Sequence, residues 1–179
     1  MSELFLTPEL SKLLQHDLQD LDRDDRMLPA GIGNHAGKDH GQQKRGDKIF
    51  WLDKKNKNHH EDEFIDQVEH FIDYLNQTCY TGINAYEFHY ALYDTGSFYR
   101  RHKDQFQNNH DRKYSLISYL NDDWKAVEGG ELIIYQDGAI DKILPTIQKA
   151  VFFQSSEIEH EVSVATRPRM SITGWLKRI

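Results

Sequence analysis

Residues 86–93 read Tyr-Glu-Phe-His-Tyr-Ala-Leu-Tyr. Tyr86, Phe88, Tyr90 and Leu92 alternate with Glu87, His89, Ala91 and Tyr93, the period of a half-buried strand whose successive side chains point to opposite faces. The same period returns in Arg169-Met170-Ser171-Ile172-Thr173-Gly174-Trp175. There Arg169, Ser171, Thr173 and Trp175 share one face, while Met170, Ile172 and Leu176 take the other. A face carrying Arg, Ser, Thr and Trp, backed by an aliphatic one, reads as a pocket wall. Between these two stretches the pattern predicts short strands at 98–102, 113–120, 131–135, 149–153 and 160–164, before the last one at 169–177. Turn chemistry separates them: Asn121-Asp122-Asp123, Glu128-Gly129-Gly130, Asp137-Gly138 and Arg167-Pro168.

Upstream of Gly82 the period is helical. Thr7 is a capping residue, Pro8 suits the first helical position and Glu9 the positive end of the dipole. Leu10, Leu13, Leu14, Leu18 and Leu21 then form one apolar stripe. A second helix is predicted over 61–78, with Phe64, Ile65, Val68, Phe71, Ile72 and Leu75 on one side. Between them, 28–60 is loop-rich, with a short strand at 48–52 and a polar tract at 53–60 expected to be mobile. A long irregular stretch of this kind is either a functional lid or disordered. Helices first and many short strands afterwards predict helices packed outside a β-sandwich or barrel.

The 179 residues fit one domain with a real core. A net charge of -7 argues against a nucleic-acid partner, which calls for a basic surface. Cys79 stands alone, so no intrachain disulfide forms, which suits a reducing compartment. The opening Met-Ser-Glu-Leu-Phe-Leu-Thr-Pro lacks the basic flank and apolar run of a signal peptide. No apolar run reaches the length of a membrane span. The expectation is a cytoplasmic protein without a membrane partner, monomeric or weakly oligomeric.

His102-Lys103-Asp104 places two metal-ligating side chains two residues apart, on one side of an extended chain. Composition alone predicts about 1.6 His-x-acid pairs, and the chain has three. His59-x-Glu61 and His60-x-Asp62 fall where a polar loop enters a helix and read as solvated surface. His102-x-Asp104 lies among strands and is followed by a loop. His160, on a distant strand, is the candidate third ligand, completing two histidines and one carboxylate with open positions left on the metal. Nine residues later comes Arg169. Its ordinary fate is a surface ion pair, but directed inward it needs a planar anion, and a carboxylate supplies two acceptors.

From about Arg45 to Trp175 the chain resembles the 2-oxoglutarate oxygenases of the prolyl-hydroxylase type, the branch of the hypoxia-inducible-factor prolyl hydroxylases and their bacterial relatives. The resemblance rests on ordered motifs: Arg45 to Trp51, Tyr99 to Asp104, Ser118 to Trp124, Glu128 to Leu132, His160 to Val162 and Arg169 to Trp175. It implies a mainly β fold with α: a double-stranded β-helix (jelly-roll) core over 83–179 with supporting N-terminal helices in 1–82. It implies iron(II) on His102, Asp104 and His160, and 2-oxoglutarate held by Arg169 and Tyr119, with Tyr93 lining its pocket and Thr173 near the oxygen position. Asp47 and Arg112 match a pair that fixes a loop near the substrate entrance, or else form an ordinary surface ion pair. Trp51, Tyr99 and Trp175 are placed around a substrate proline, though a core position serves Trp51 equally well.

The implied reaction uses O2 and 2-oxoglutarate, yields succinate and carbon dioxide, and hydroxylates an unactivated C–H bond, with ascorbate as a candidate reductant. Asp104 favours hydroxylation, since related halogenases lack that carboxylate, and the stretch around 47–60 is expected to close over the substrate as a lid. Position 175 is Trp where nucleic-acid repair oxygenases carry a second arginine, and position 170 is Met where collagen-type enzymes carry lysine. The expected substrate is a prolyl residue of a protein, with a translation factor as candidate. Free proline or another metabolite is the alternative, and a metal-binding cupin-like sensor a third reading.

Overall fold

A computed structural model describes residue 2 and residues 4–31, 45–105 and 110–179. Helix α1 (Pro8–Arg23) starts as its sequence dictates: Thr7 Oγ1 accepts the Leu10 N–H at 3.1 Å, and Pro8 occupies the first turn. A two-residue strand β1 (Leu28–Pro29) and β2 (Asp47–Trp51) follow, then α2 (His59–Cys79). The remainder is strand: β3 (Ala85–Tyr93), β4 (Tyr99–His102), β5 (Arg112–Tyr119), β6 (Leu132–Gln136), β7 (Ala139–Ile143), β8 (Ala150–Gln154), β9 (Glu159–Val162) and β10 (Arg169–Lys177).

The strands make two antiparallel sheets, ordered β1-β2-β3-β10-β5-β8 and β4-β9-β6-β7, a jelly roll with both helices on the outer face of the larger sheet. Two apolar clusters occupy its two faces. Outside, Leu10, Leu14 and Leu18 of α1 and Phe64, Val68 and Ile72 of α2 pack on Phe88, Tyr90, Leu92, Leu116 and Ile172. Burying each such aliphatic or aromatic side chain contributes roughly 1.5–3 kcal/mol. Inside, Ala91, Tyr93, Ile117 and Tyr119 meet Leu132, Ile134 and Val162 of the smaller sheet. Gly174 is required where β10 crosses β3: a Cβ there would lie 2.2 Å from Phe88 Cδ1 and 2.3 Å from the Glu87 carbonyl oxygen.

Several expectations need correcting. β3 is not half-buried; from Phe88 to Tyr93 both faces are covered, because helices lie on one side and the second sheet on the other. The polar tract 53–60 is not a free loop: Lys54–Asn56 form a 3-10 turn capped by Asp53, and Asn58 caps α2 by accepting the His60 and Glu61 N–H groups. Nor is 47–60 a lid, since Asp47–Trp51 is a sheet strand paired with Tyr93–His89. The stretch 32–44 of the predicted loop lies outside the described residues. β7, unforeseen, pairs with β6 across the Asp137-Gly138 turn. Among the described residues no helix is long and apolar enough to cross a membrane.

Candidate metal and oxoacid site

His102 and His160 converge because they are direct cross-strand partners in the β4–β9 pair, where opposed side chains sit close on one face. Their ring centroids are 4.3 Å apart. Asp104, two residues beyond His102, turns to the same side, and its Oδ1 lies 3.4 Å from His102 Nε2 and 3.7 Å from His160 Nε2. The three ligand atoms all fall within 4.8 Å of one another.

Neighbouring groups set the orientation of each ligand. His102 Nδ1 is 2.7 Å from the Arg100 carbonyl oxygen and His160 Nδ1 3.2 Å from that of Ile158. A carbonyl only accepts, so each Nδ1 carries the proton and each Nε2 presents a lone pair to the cluster. Ser115 Oγ, from the opposite sheet, donates to Asp104 Oδ2 at 2.6 Å and lies 2.9 Å from Ser155 Oγ. That leaves Oδ1 as the free ligand atom. Burial alone would push the Asp104 carboxyl up, but His160, His102 and the Ser115 hydroxyl together hold it well below the usual carboxylate range. Burial lowers His160, against the opposing pull of Asp104, which favours the neutral imidazole that a metal ligand needs.

The second part of the site is built on the inner face of β10. Arg169 is 1 % exposed, and its Nε donates to the Gly130 carbonyl oxygen at 2.7 Å. Gly130 sits at φ +68°, and a Cβ there would come 3.3 Å from Arg169 Cδ and 2.9 Å from the Trp124 ring. The guanidinium carbon lies 5.1 Å from the ring centroids of both Tyr93 and Tyr119. Arg169 Nη2 and the Tyr119 hydroxyl are buried without a hydrogen-bond partner among the described residues. Burial pushes the Tyr119 phenol up to about 12, against the pull of Arg169, so it remains a donor.

These observations test the implied groups. His102 Nε2 is likewise buried without a hydrogen bond to any described residue, and two imidazoles with one carboxylate are the donor set of a facial iron(II) centre. A dicarboxylic acid would satisfy both orphaned donors at the Arg169 end. The residues fit iron(II) and 2-oxoglutarate.

Other expected residues fall in different places. Tyr99 stacks on His102, with centroids 3.6 Å apart and planes at 19°, and carries the Arg45 guanidinium 4.5 Å from its ring. Thr173 faces inward between His89 and Ile117, its Oγ1 3.3 Å from Ser171 Oγ. Trp175 is 7 % exposed, next to Ser115 in the adjoining strand. Asp47 and Arg112 do not form the expected pair. Asp47 takes a bidentate contact from Arg45 (2.6 and 2.5 Å), while Arg112 pairs with Glu87 and lies 3.3 Å over Trp175. Register explains this: Asp47 aligns with Tyr93 and Arg169, and Arg112 with Lys177, about 26 Å further along β10. Ser115, Arg45, Glu87 and His89 were not foreseen as site residues. Ser115 was legible in principle, since it alternates inward with Ile117 and Tyr119.

The chain belongs to the 2OG-Fe(II) oxygenase superfamily, whose pattern matches residues 88–177. Among its relatives, human Egl nine homolog 1 is 34 % identical over 142 residues, 73 % of this chain and 32 % of that protein. The chain thus spans about a third of that relative's length. A Pseudomonas putida prolyl-4-hydroxylase is 32 % identical, with a TM-score of 0.88 over 98 % of this chain and 89 % of the other. A Trichoplax adhaerens prolyl hydroxylase, 24 % identical, shares the fold at a TM-score of 0.83 over 97 % and 80 %.

Proposed function

We propose that this chain is a 2-oxoglutarate- and iron(II)-dependent dioxygenase that hydroxylates a prolyl residue in a protein substrate. The observation that carries the reading is the convergence of His102, Asp104 and His160, with all three ligand atoms within 4.8 Å of one another. Asp104 is hydrogen-bonded to Ser115 of β5, the neighbour in the sheet of β10, whose inner face carries the buried Arg169. The Pseudomonas relative, a prolyl-4-hydroxylase by name, supports the prolyl substrate.

His102 Nε2, His160 Nε2 and Asp104 Oδ1 would hold iron(II), which, with 2-oxoglutarate and O2, supplies oxidative decarboxylation to succinate and carbon dioxide coupled to C–H hydroxylation. Every other task falls to the protein. Arg100 and Ile158 carbonyls and Ser115 keep the ligand atoms aimed. Arg169 and Tyr119 grip the distal carboxylate of the oxoacid by a charge-assisted donor and a neutral phenol. Tyr93 and Ile117 contribute buried apolar surface to the same inner face. Trp51, 45 % exposed, lies with its ring 6.5 Å from that of the buried Trp175, an aromatic surface suited to a prolyl side chain.

The test is incubation with iron(II), 2-oxoglutarate and a pool of X-X-Pro-X-X peptides, beside free L-proline, read by mass spectrometry and succinate release. One added oxygen on proline in the peptides, dependent on every component, is expected. Oxidation of free L-proline alone would replace the protein-substrate reading with a metabolite one.

A further inference from the structure

We infer that Ser155 is a positioning residue for the metal site: its buried hydroxyl, acting through Ser115, holds Asp104 to a single ligand oxygen. The inference deepens the iron(II) reading above and rests on it.

Ser155 lies just past the end of β8, in the turn that leads into β9 and its ligand His160. Its hydroxyl reaches the metal cluster at one remove. Ser155 Oγ is 2.9 Å from Ser115 Oγ, which is 2.6 Å from Asp104 Oδ2, and both serines are fully buried. Its backbone ties the same three segments together. The Ser155 N–H donates to the Lys113 carbonyl of β5 at 3.0 Å, and the Gln105 N–H, next to the ligand, donates to the Ser155 carbonyl at 3.3 Å. An alanine would keep both backbone bonds, so the hydroxyl needs a reason of its own.

Counting protons supplies that reason. A carboxylate that ligates a metal is deprotonated and only accepts. Ser115 has one hydroxyl proton and spends it on Asp104 Oδ2. It has none left for Ser155, so Ser155 must be the donor between the two serines. The relay therefore runs one way, from Ser155 to Ser115 to Asp104. Accepting a hydrogen bond polarises the Ser115 hydroxyl and strengthens the bond that it donates. Oδ2 is thereby claimed from the side away from the histidines, and Oδ1 alone faces His102 and His160. A carboxylate turned to offer both oxygens would lose the Ser115 bond and fill a position that a facial site keeps open. Without the Ser155 donor, Ser115 is free to rotate and that hold weakens.

The test strips the full chain of metal and titrates it with cobalt(II), whose visible absorption reports its coordination. Ser155→Ala should weaken cobalt(II) binding about fivefold, the worth of one neutral hydrogen bond, and shift the visible bands. The Tm of the metal-free protein should stay at the wild-type value. Ser115→Ala, which removes the group that touches the ligand, should weaken binding by roughly 10–100-fold. The double variant should bind no more weakly than Ser115→Ala, because Ser155 acts only through Ser115.

Unchanged affinity and bands in Ser155→Ala, or serine penalties that simply add, would overturn the assignment. So would a lowered metal-free Tm with no change in affinity, which marks a structural role. Cobalt(II) binding by the wild type that Ser155→Ala matches sinks only Ser155; a wild type that binds no cobalt(II) sinks the metal reading as well.

Discussion

The two faces of β3, β10 and β5 are made by the same residues in alternation, yet they do opposite things. Outward, Phe88, Leu92, Leu116, Ile172 and Leu176 are packed apolar groups under two helices. Inward, Arg169, Ser171, Thr173, Trp175, His89 and Ser115 are polar or amphipathic, and several carry donors or acceptors that no described residue satisfies. One face stabilises the fold. The other accepts a cost in stability to keep groups poised for a ligand. If that division is right, inward changes should alter binding at nearly constant stability, and outward changes the reverse.

The largest effect tests the inward half. Asp104→Ala should abolish succinate production and weaken metal binding by more than about a hundredfold, since changes to groups that only orient ligands already cost roughly 10–100-fold. Full turnover would remove Asp104 from the cluster, and collapse of the fold would erase the division. Next comes the outward face. Phe64→Ala, at a fully buried ring packed 5.3 Å from Phe88, should cost about 3–5 kcal/mol by denaturant titration while the surviving folded enzyme keeps its 2-oxoglutarate KM. A raised KM in that variant would blur the two faces. Arg169→Met should raise the 2-oxoglutarate KM by roughly 10–100-fold, the worth of a charge-assisted pair, with little change in the melting temperature. An unmoved saturation curve would show that the guanidinium serves the core instead.

How much of this was legible in the sequence follows from what periodicity can and cannot encode. β10 is observed over its predicted span, because a nine-residue alternation between Arg169 and Lys177 has one reading. The His-x-Asp pair and its distant histidine were legible as a set, since only cross-strand pairing brings residues 102 and 160 together. Pairing partners of charged groups were not legible. Asp47 found Arg45 two residues away because register, which no local pattern states, carried Arg112 to the far end of the sheet. The supposed lid was misread because a polar tract looks alike whether it is loose or capped, and Asp53 and Asn58 turn this one into helix. Ser115 escaped notice because an inward serine is unremarkable until Asp104 is seen 2.6 Å away.

The smallest effect separates the faces through pH. His89 is held neutral in the fold, at about 3 against roughly 6.5 in the unfolded chain. Below 6.5 the unfolded chain takes up a proton that the folded chain refuses, so the sign is fixed. Stability is undiminished above pH 6.5 and falls as the pH drops from there toward 3, by at most about 1.4 kcal/mol per unit for one proton. His89→Met has no such group. Subtracting its denaturation midpoints from those of the wild type across pH 4–7 should therefore leave a slope that favours the variant increasingly at low pH and vanishes near neutrality. An outward control such as Leu92→Met should leave no slope. A flat difference for His89→Met would mean that the imidazole accepts its proton inside the fold. The inner face would then be wetter than its burial implies, and the contrast with the outer face would narrow to packing alone.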